Sequence, residues 1–250
     1  MNEIRRRIPA LLVLAAVSAV LLSGCLYPKE NLAQNKASTR EAVRNMQAVI
    51  EEFQQATGVL PLKNSTPETP RYEKFVIDLA KLQNMQYISD LPAVSFEKGG
   101  KYYFLIQNEE SEPTVKLMDL VVYQAANQIQ GWVDSYKREQ GSLPLGSQAY
   151  PGFYYIDYGK LGQKEPVIQS IYSGLTLPAI IDESGAVFVD YGIDIMQAVQ
   201  RTQAEPQAGD DLRELLVASS ELVPVKSTAY HWVDGDPQAV AEKNGAAAQR

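Results

Sequence analysis

One cysteine and one histidine, Cys25 and His231, are all that this chain of 250 residues contains. A lone histidine cannot supply a zinc pair of the His-x-x-x-His kind or a histidine-rich metal cluster. A Ser-His-Asp triad would need His231, and no Gly-x-Ser-x-Gly elbow accompanies it. A lone cysteine excludes an internal disulfide and multi-thiolate metal sites. No phosphate loop and no dinucleotide fingerprint is present; Gly99-Gly100 reads as a turn. Positive charge is also short, with 23 Lys plus Arg against 30 Asp plus Glu. A distributed negative charge opposes nucleic acid and anionic headgroups as partners. No cofactor and no metal is expected.

The longest apolar run is short too. Ile8 to Leu22 is fifteen residues, a rise of about 22 Å as helix, below the roughly 30 Å of a bilayer's hydrocarbon core. Arg5, Arg6 and Arg7 precede it and Leu22-Ser23-Gly24-Cys25 ends it. That order reads as a signal peptide over 1–24, and the ending resembles the lipobox of bacterial lipoproteins. The resemblance implies diacylglycerol on the Cys25 thiol, with membrane lipid as a partner through that residue and a location on the extracytoplasmic face of the cell membrane. Two or more acyl chains make such an anchor durable. Cleavage would leave 20 basic against 29 acidic residues.

Residues 25–38 read as the lipidated cysteine and a polar tether. Ser38-Thr39-Arg40-Glu41 then has the spacing of a capping box, and Met46, Val49, Ile50 and Phe53 make an amphipathic helical stripe. Gly58 is placed to end that helix in a left-handed conformation. The pattern recurs 83 residues later in Ile129, Trp132, Val133 and Tyr136, closed by Gly141. Gly58-Val59-Leu60-Pro61-Leu62 matches Gly141-Ser142-Leu143-Pro144-Leu145 at the same offset, and Ile77-Asp78 matches Ile156-Asp157 at an offset of 79. Tyr102–Ile106 with Thr114–Leu117, and Pro178–Ile181 with Ala186–Val189, read as β-hairpins. The fold class expected is α+β, a tandem repeat of two small units, 39–118 and 119–200, each one helix packed on a small antiparallel sheet. Residues 201–250 read as a C-terminal extension. A short helix there would follow Asp210-Asp211, a strand would lie within 223–233, and fraying would set in from Asp234.

The lipobox, the following Leu26-Tyr27-Pro28-Lys29-Glu30, the two Gly-x-Leu-Pro units and Phe188-Val189-Asp190-Tyr191 together are similar to a YphF-like family of lipoproteins from Gram-positive spore formers. The likeness spans roughly residues 22 to 200 and implies an envelope location without an assigned activity.

Acidic residues are the remaining source of acid–base chemistry. Asp78 and Asp157 occur in both units, each three residues before a lysine, and are expected to cap the turn that follows. Glu109, Glu110 and Glu112 crowd one hairpin tip, and Asp234-Gly235-Asp236 has part of a calcium loop's pattern; both read as solvated charge, lacking full ligand spacing. In the second unit Phe153 and Tyr155 stand where the first has Lys74 and Val76. Exposed aromatics bring contact area at low entropy cost, so Phe153 and Tyr155 form the candidate interaction surface; the alternative is that this face packs on the first unit or on residues 212–233. The function expected is a non-enzymatic interaction or scaffold module acting on another envelope protein. A solute-binding lipoprotein of a transporter and a cell-wall hydrolase are the alternatives, and nothing in the sequence indicates a small molecule.

Overall fold

The computed structural model describes residues 29–241, with side chains from residue 37. The predicted signal peptide, Cys25 and residues 242–250 lie outside them. The fold is mixed α+β, with six helices and several small antiparallel sheets among the described residues. No helix there is long and apolar enough to cross a membrane. Residues 41–241 form one compact unit.

Helix α1 spans Lys29–Thr57. Its stripe of Met46, Ile50 and Phe53 is buried, each such side chain contributing about 1.5–3 kcal/mol. Gly58, at φ +74°, ends the helix and its amide donates to the Gln54 carbonyl at 2.8 Å. The expected tether therefore needs correcting: the helix already runs from Lys29, and Ser38 lies inside it rather than at its cap. Residues 29–38 hold no Gly or Pro, and Lys, Glu, Leu, Gln and Ala make up seven of the ten, so helix propensity prevails where no apolar period announces it.

The chain next passes Leu62, which bridges Ile77, while Val76 bridges Leu105. Helix α2 (Leu79–Asn84) starts on Asp78, whose Oδ1 accepts from the Lys81 amide at 3.0 Å. Strands β1 (Tyr102–Gln107) and β2 (Thr114–Asp119) pair in register from Tyr102↔Asp119 to Gln107↔Thr114. Asp119 caps helix α3 (Leu120–Gln140), accepting from the Val121 amide at 2.8 Å, and Gly141 at φ +67° closes it.

After α3 come β3 (Leu145–Tyr150), β4 (Phe153–Ile156) and the short helix α4 (Tyr158–Leu161), whose start is capped by Asp157 through the Lys160 amide at 3.2 Å. A two-residue hairpin, β5 (Ile168–Gln169) with β6 (Thr176–Leu177), leads to β7 (Ala179–Asp182) and β8 (Val187–Val189). The main sheet is ordered β3-β4-β7-β8, antiparallel throughout. Helix α5 covers Gly192–Thr202, α6 covers Arg213–Ser219, and β9 (Ala229–Val233) pairs with β10 (Asp236–Val240).

Several contacts occur twice. Leu62↔Ile77 has its counterpart in Leu145↔Ile156, and Val76↔Leu105 in Tyr155↔Ile180. The Pro61 carbonyl accepts from the Asp78 amide at 2.8 Å, and the Pro144 carbonyl from the Asp157 amide at 2.8 Å. Gln47, on α1, accepts from the Val115 amide at 2.7 Å and donates to the Pro113 carbonyl at 2.9 Å. Gln130, on α3, accepts from the Val187 amide at 2.8 Å and donates to the Gly185 carbonyl at 2.9 Å. Each helix is thereby held to the second strand of the hairpin it packs on.

Two apolar cores result. One gathers Met46, Ile50, Phe53, Ile77, Leu82, Phe104 and Leu117. The larger joins Ile129, Val133, Phe153, Ile180 and Val189 to Leu212, Leu216, Val225 and Tyr230 of the C-terminal region.

That region is more than an appendage. The Leu117 amide donates to the Glu221 carbonyl at 2.8 Å, the Val223 amide returns to the Leu117 carbonyl at 3.0 Å, and the Val189 amide donates to the Lys226 carbonyl at 2.8 Å. Residues 221–226 thus lie against the last strand of both hairpins. Lys116 crosses underneath, its Nζ donating to the carbonyls of Val217 at 2.7 Å and Ser220 at 2.6 Å, at the end of α6. A cation is favoured at those unsatisfied carbonyls. Fraying from Asp234 is also corrected: Asp234 and Gly235, at φ +51° and +88°, make the two-residue turn between β9 and β10. An Asp-Gly pair with both residues left-handed matches the twist of the strands it joins. The boundary at 200 falls inside α5.

Candidate functional site

Fourteen residues, 63–76, separate Leu62 from Ile77, whereas ten, 146–155, separate Leu145 from Ile156. The shorter connection closes as the β3–β4 hairpin, turning at Gly152 with φ +80°. The longer one opens into a loop. The Lys63 amide still donates to the Val76 carbonyl at 2.8 Å, but between them Thr66 and Thr69 bond to each other and a 3₁₀ turn forms at Arg71–Glu73. Phe75 then adopts φ +57°, a left-handed conformation that costs a bulky residue about 1–3 kcal/mol. The neighbouring pairing overrides that cost: the Phe75 carbonyl accepts from the Ile106 amide at 3.0 Å, and the Phe104 carbonyl from the Ile77 amide at 2.8 Å.

The detour frames a cleft of about 210 Å³ lined by Lys63, Asn64, Ser65, Thr69, Glu73, Phe75, Val76 and Tyr103. Its charges are internally compensated. Lys63 Nζ pairs with Glu97 at 3.0 Å and lies 5.1 Å from the centre of the Tyr103 ring. Glu73, its side chain 9% exposed, pairs through Oε2 with Lys226 Nζ at 3.1 Å. Burial raises the Glu73 carboxyl above the usual carboxylate range, opposed by the Lys226 charge. Glu73 Oε1 is buried and has no hydrogen-bond partner among the described residues. Phe96 stacks edge-on to Tyr103 with ring centres 5.3 Å apart.

A second polar concentration lies in the larger core. The Asp190 carboxylate accepts from the Tyr150 hydroxyl at 2.9 Å, the Tyr230 hydroxyl at 2.8 Å and the Gly192 amide at 2.9 Å. The Tyr230 hydroxyl also accepts from the Tyr191 amide at 3.1 Å. Burial first, and the Asp190 charge second, hold the Tyr150 and Tyr230 hydroxyls protonated far above their ordinary range, so both stay donors. A Cβ on Gly192 would stand 2.5 Å from the Tyr150 hydroxyl; only glycine admits this approach. Nearby, Asp194 Oδ2 accepts from the Ser170 hydroxyl at 2.7 Å while Oδ1 has no partner. Burial raises the Asp194 carboxyl as well, against the pull of the serine hydrogen bonds. The cluster ties α5, β3 and β9 together inside the core, and its chemistry is that of a scaffold.

The residues singled out in the sequence meet different fates. Cys25 lies outside the described residues. Phe153 is 1% exposed, packed against Phe188 at a ring-centre distance of 5.9 Å. The reading of Phe153 as a surface aromatic is therefore corrected. Strand alternation identifies a solvent face only when one side of the sheet is open, and here Phe153 and Ile156, on opposite faces of β4, are both buried. Tyr155 remains exposed, at 39%. Asp78 and Asp157 cap turns as expected. His231 pairs across the hairpin with Gln238. Among the described residues, no three His, Cys, Asp or Glu side chains group as metal ligands. The cleft was missed entirely. Its one trace in the sequence is the fall in offset from 83 to 79, located between Leu62 and Ile77.

Residues 39–119 match the profile of the YphF family N-terminal domain, consistent with a YphF-like family, and the match brings no activity with it. Every residue lining the cleft falls inside that stretch. No match to a curated protein or to a solved structure was found.

Proposed function

We propose that this chain is a lipoprotein anchored through Cys25 on the extracytoplasmic face of the membrane, where it works as a non-enzymatic interaction module. The observation that carries the anchor is the order of Arg5–Arg7, the apolar run and Leu22-Ser23-Gly24-Cys25, with no other cysteine in the chain. Cys25→Ala should abolish incorporation of radiolabelled palmitate and move the protein from the detergent phase to the aqueous phase. Equal labelling of mutant and wild type would overturn the anchor.

The interaction role is supported by the cleft, whose Lys63 and Glu73 are paired within the protein while the Asn64 and Ser65 side chains are exposed. At about 210 Å³ it is smaller than the roughly 300–1,000 Å³ of drug-sized ligand sites, which suits one small ring or side chain of a larger partner. Tyr155 offers a second exposed aromatic contact.

We also read residues 39–118 and 119–200 as two copies of one α+β unit, joined by residues 221–226. The matched glutamine contacts support this most directly. Gln47→Ala and Gln130→Ala should then each cost a similar amount, about 1–3 kcal/mol, because each strands a β-strand amide and a carbonyl. Urea unfolding of the two variants measures it. A large penalty at one site with none at the other would break the equivalence.

A further inference from the structure

We propose that the cleft framed by residues 63–76 binds one neutral, hydroxyl-rich ring, a single sugar residue of a glycan. This rests on reading the protein as an interaction module, and it names the chemistry of the surface that module presents. The second sheet serves as an internal control. There the equivalent connection is four residues shorter, closes as a hairpin with two register irregularities in β3, and has no left-handed residue where Tyr154 replaces Phe75. The first connection has therefore gained length and backbone strain that the fold does not require. Strain and added loop length concentrate where a surface is put to use.

The lining selects the ligand by elimination of charge. Lys63 is committed to Glu97, and Glu73 to Lys226. An added cation would meet Lys63 and also Lys74, whose Nζ already lies 5.6 Å from the centre of the Phe75 ring. An added anion would meet Glu73 and Glu97. What is left uncommitted is neutral or nearly so. The side chains of Asn64 and Ser65 and the hydroxyl of Tyr103 bond to none of the described residues, and Asn64 and Ser65 are exposed. A wholly apolar guest would leave these groups unpaired on closing off water, a cost of about 1–3 kcal/mol for each one buried. The rest of the lining includes Val76 and the Phe75 and Tyr103 rings. A sugar ring presents both surfaces at once, an apolar face of C–H groups for aromatic walls and a rim of hydroxyls that each donate and accept.

The test is calorimetric titration of the full chain in a polyoxyethylene detergent, which carries no sugar. The probes are glucose, N-acetylglucosamine, their β-linked trisaccharides, acetate and 1,5-diaminopentane. At least one saccharide should bind saturably. Asn64→Ala combined with Ser65→Ala should weaken it by about tenfold or more at an unchanged melting temperature, since both side chains are exposed and two hydrogen bonds are lost. Val167→Ala, at an exposed residue away from the lining, should leave it unchanged. Preference for a trisaccharide over its monosaccharide identifies a polymer as the source; equal affinity identifies the free sugar. The proposal is overturned if no saccharide binds, if the double variant binds as wild type does, or if acetate or diaminopentane binds more tightly than every sugar. None of these outcomes touches the labelling of Cys25, so the anchor stands or falls separately.

Discussion

Replacing Asp190 with alanine should lower the free energy of unfolding by about 3 kcal/mol. The carboxylate accepts from the Tyr230 hydroxyl and the Gly192 amide, both fully inside the protein, and from the Tyr150 hydroxyl at its edge. Each buried donor left without an acceptor costs about 1–3 kcal/mol, because the medium around it offers no water to replace the lost bond. The loss spreads beyond Asp190. Tyr230 bridges to the Tyr191 amide, and the Tyr191 hydroxyl donates to the Val225 carbonyl at 3.1 Å, so one carboxylate holds β9 and the 221–226 segment to the start of α5. Asp190→Asn keeps an acceptor of the same shape and should cost only about 1 kcal/mol. Denaturant unfolding of the two variants decides the matter. If alanine costs no more than asparagine, the cluster contributes little, and the C-terminal region is held by apolar packing alone.

That cluster also marks the limit of what could be read from the sequence. The periodic and local features were legible: the stripes of Met46, Ile50 and Phe53 and of Ile129 and Val133, the closing glycines Gly58 and Gly141, and the caps Asp78 and Asp157. Each is written within a window of a few residues, where spacing maps directly onto geometry. Asp190 and Tyr230 are forty residues apart, and Glu73 pairs with Lys226 from the far end of the chain. Nothing local announces either contact. Lys226 itself takes φ +58°, a conformation that long-range pairing imposes on a residue with no preference for it. The Asp234-Gly235 turn is a different kind of miss. Its hairpin signal is local, but the Pro237 that follows and the Gly- and Ala-rich end weigh against a strand. Pro237 is tolerated here because β10 pairs on one side only, with β9. In the cleft the sequence held a trace, four extra residues, but not its meaning. An insertion reads as a longer loop until Phe75 is seen strained and the lining side chains are seen uncommitted.

The largest single-site loss should come from Phe153, and the contrast with Tyr155 makes the test internal. The two residues share one face of β4, separated by a single residue, so strand alternation alone would treat them alike. Their surroundings differ. Phe153 is 1% exposed, stacks edge-on against Phe188 and belongs to the core that also holds Leu212, Leu216 and Tyr230. Tyr155 is 39% exposed. Phe153→Ala should therefore cost about 3–5 kcal/mol, the transfer free energy of the ring plus the cavity it leaves in a close-packed interior. Tyr155→Ala should cost about 1 kcal/mol or less, since part of the ring is already in water. Lysine at 153 should be worse than alanine, because an unpaired ammonium would enter a cavity lined by apolar side chains. Urea unfolding monitored by far-ultraviolet circular dichroism reads all three. Equal losses at 153 and 155 would mean that the face is uniformly open or uniformly closed. A small loss at Phe153 would return it to the surface and reopen its candidacy as a contact residue. The ordering expected, Phe153→Lys beyond Phe153→Ala and both well beyond Tyr155→Ala, leaves Tyr155 as the member of the pair that a partner could reach.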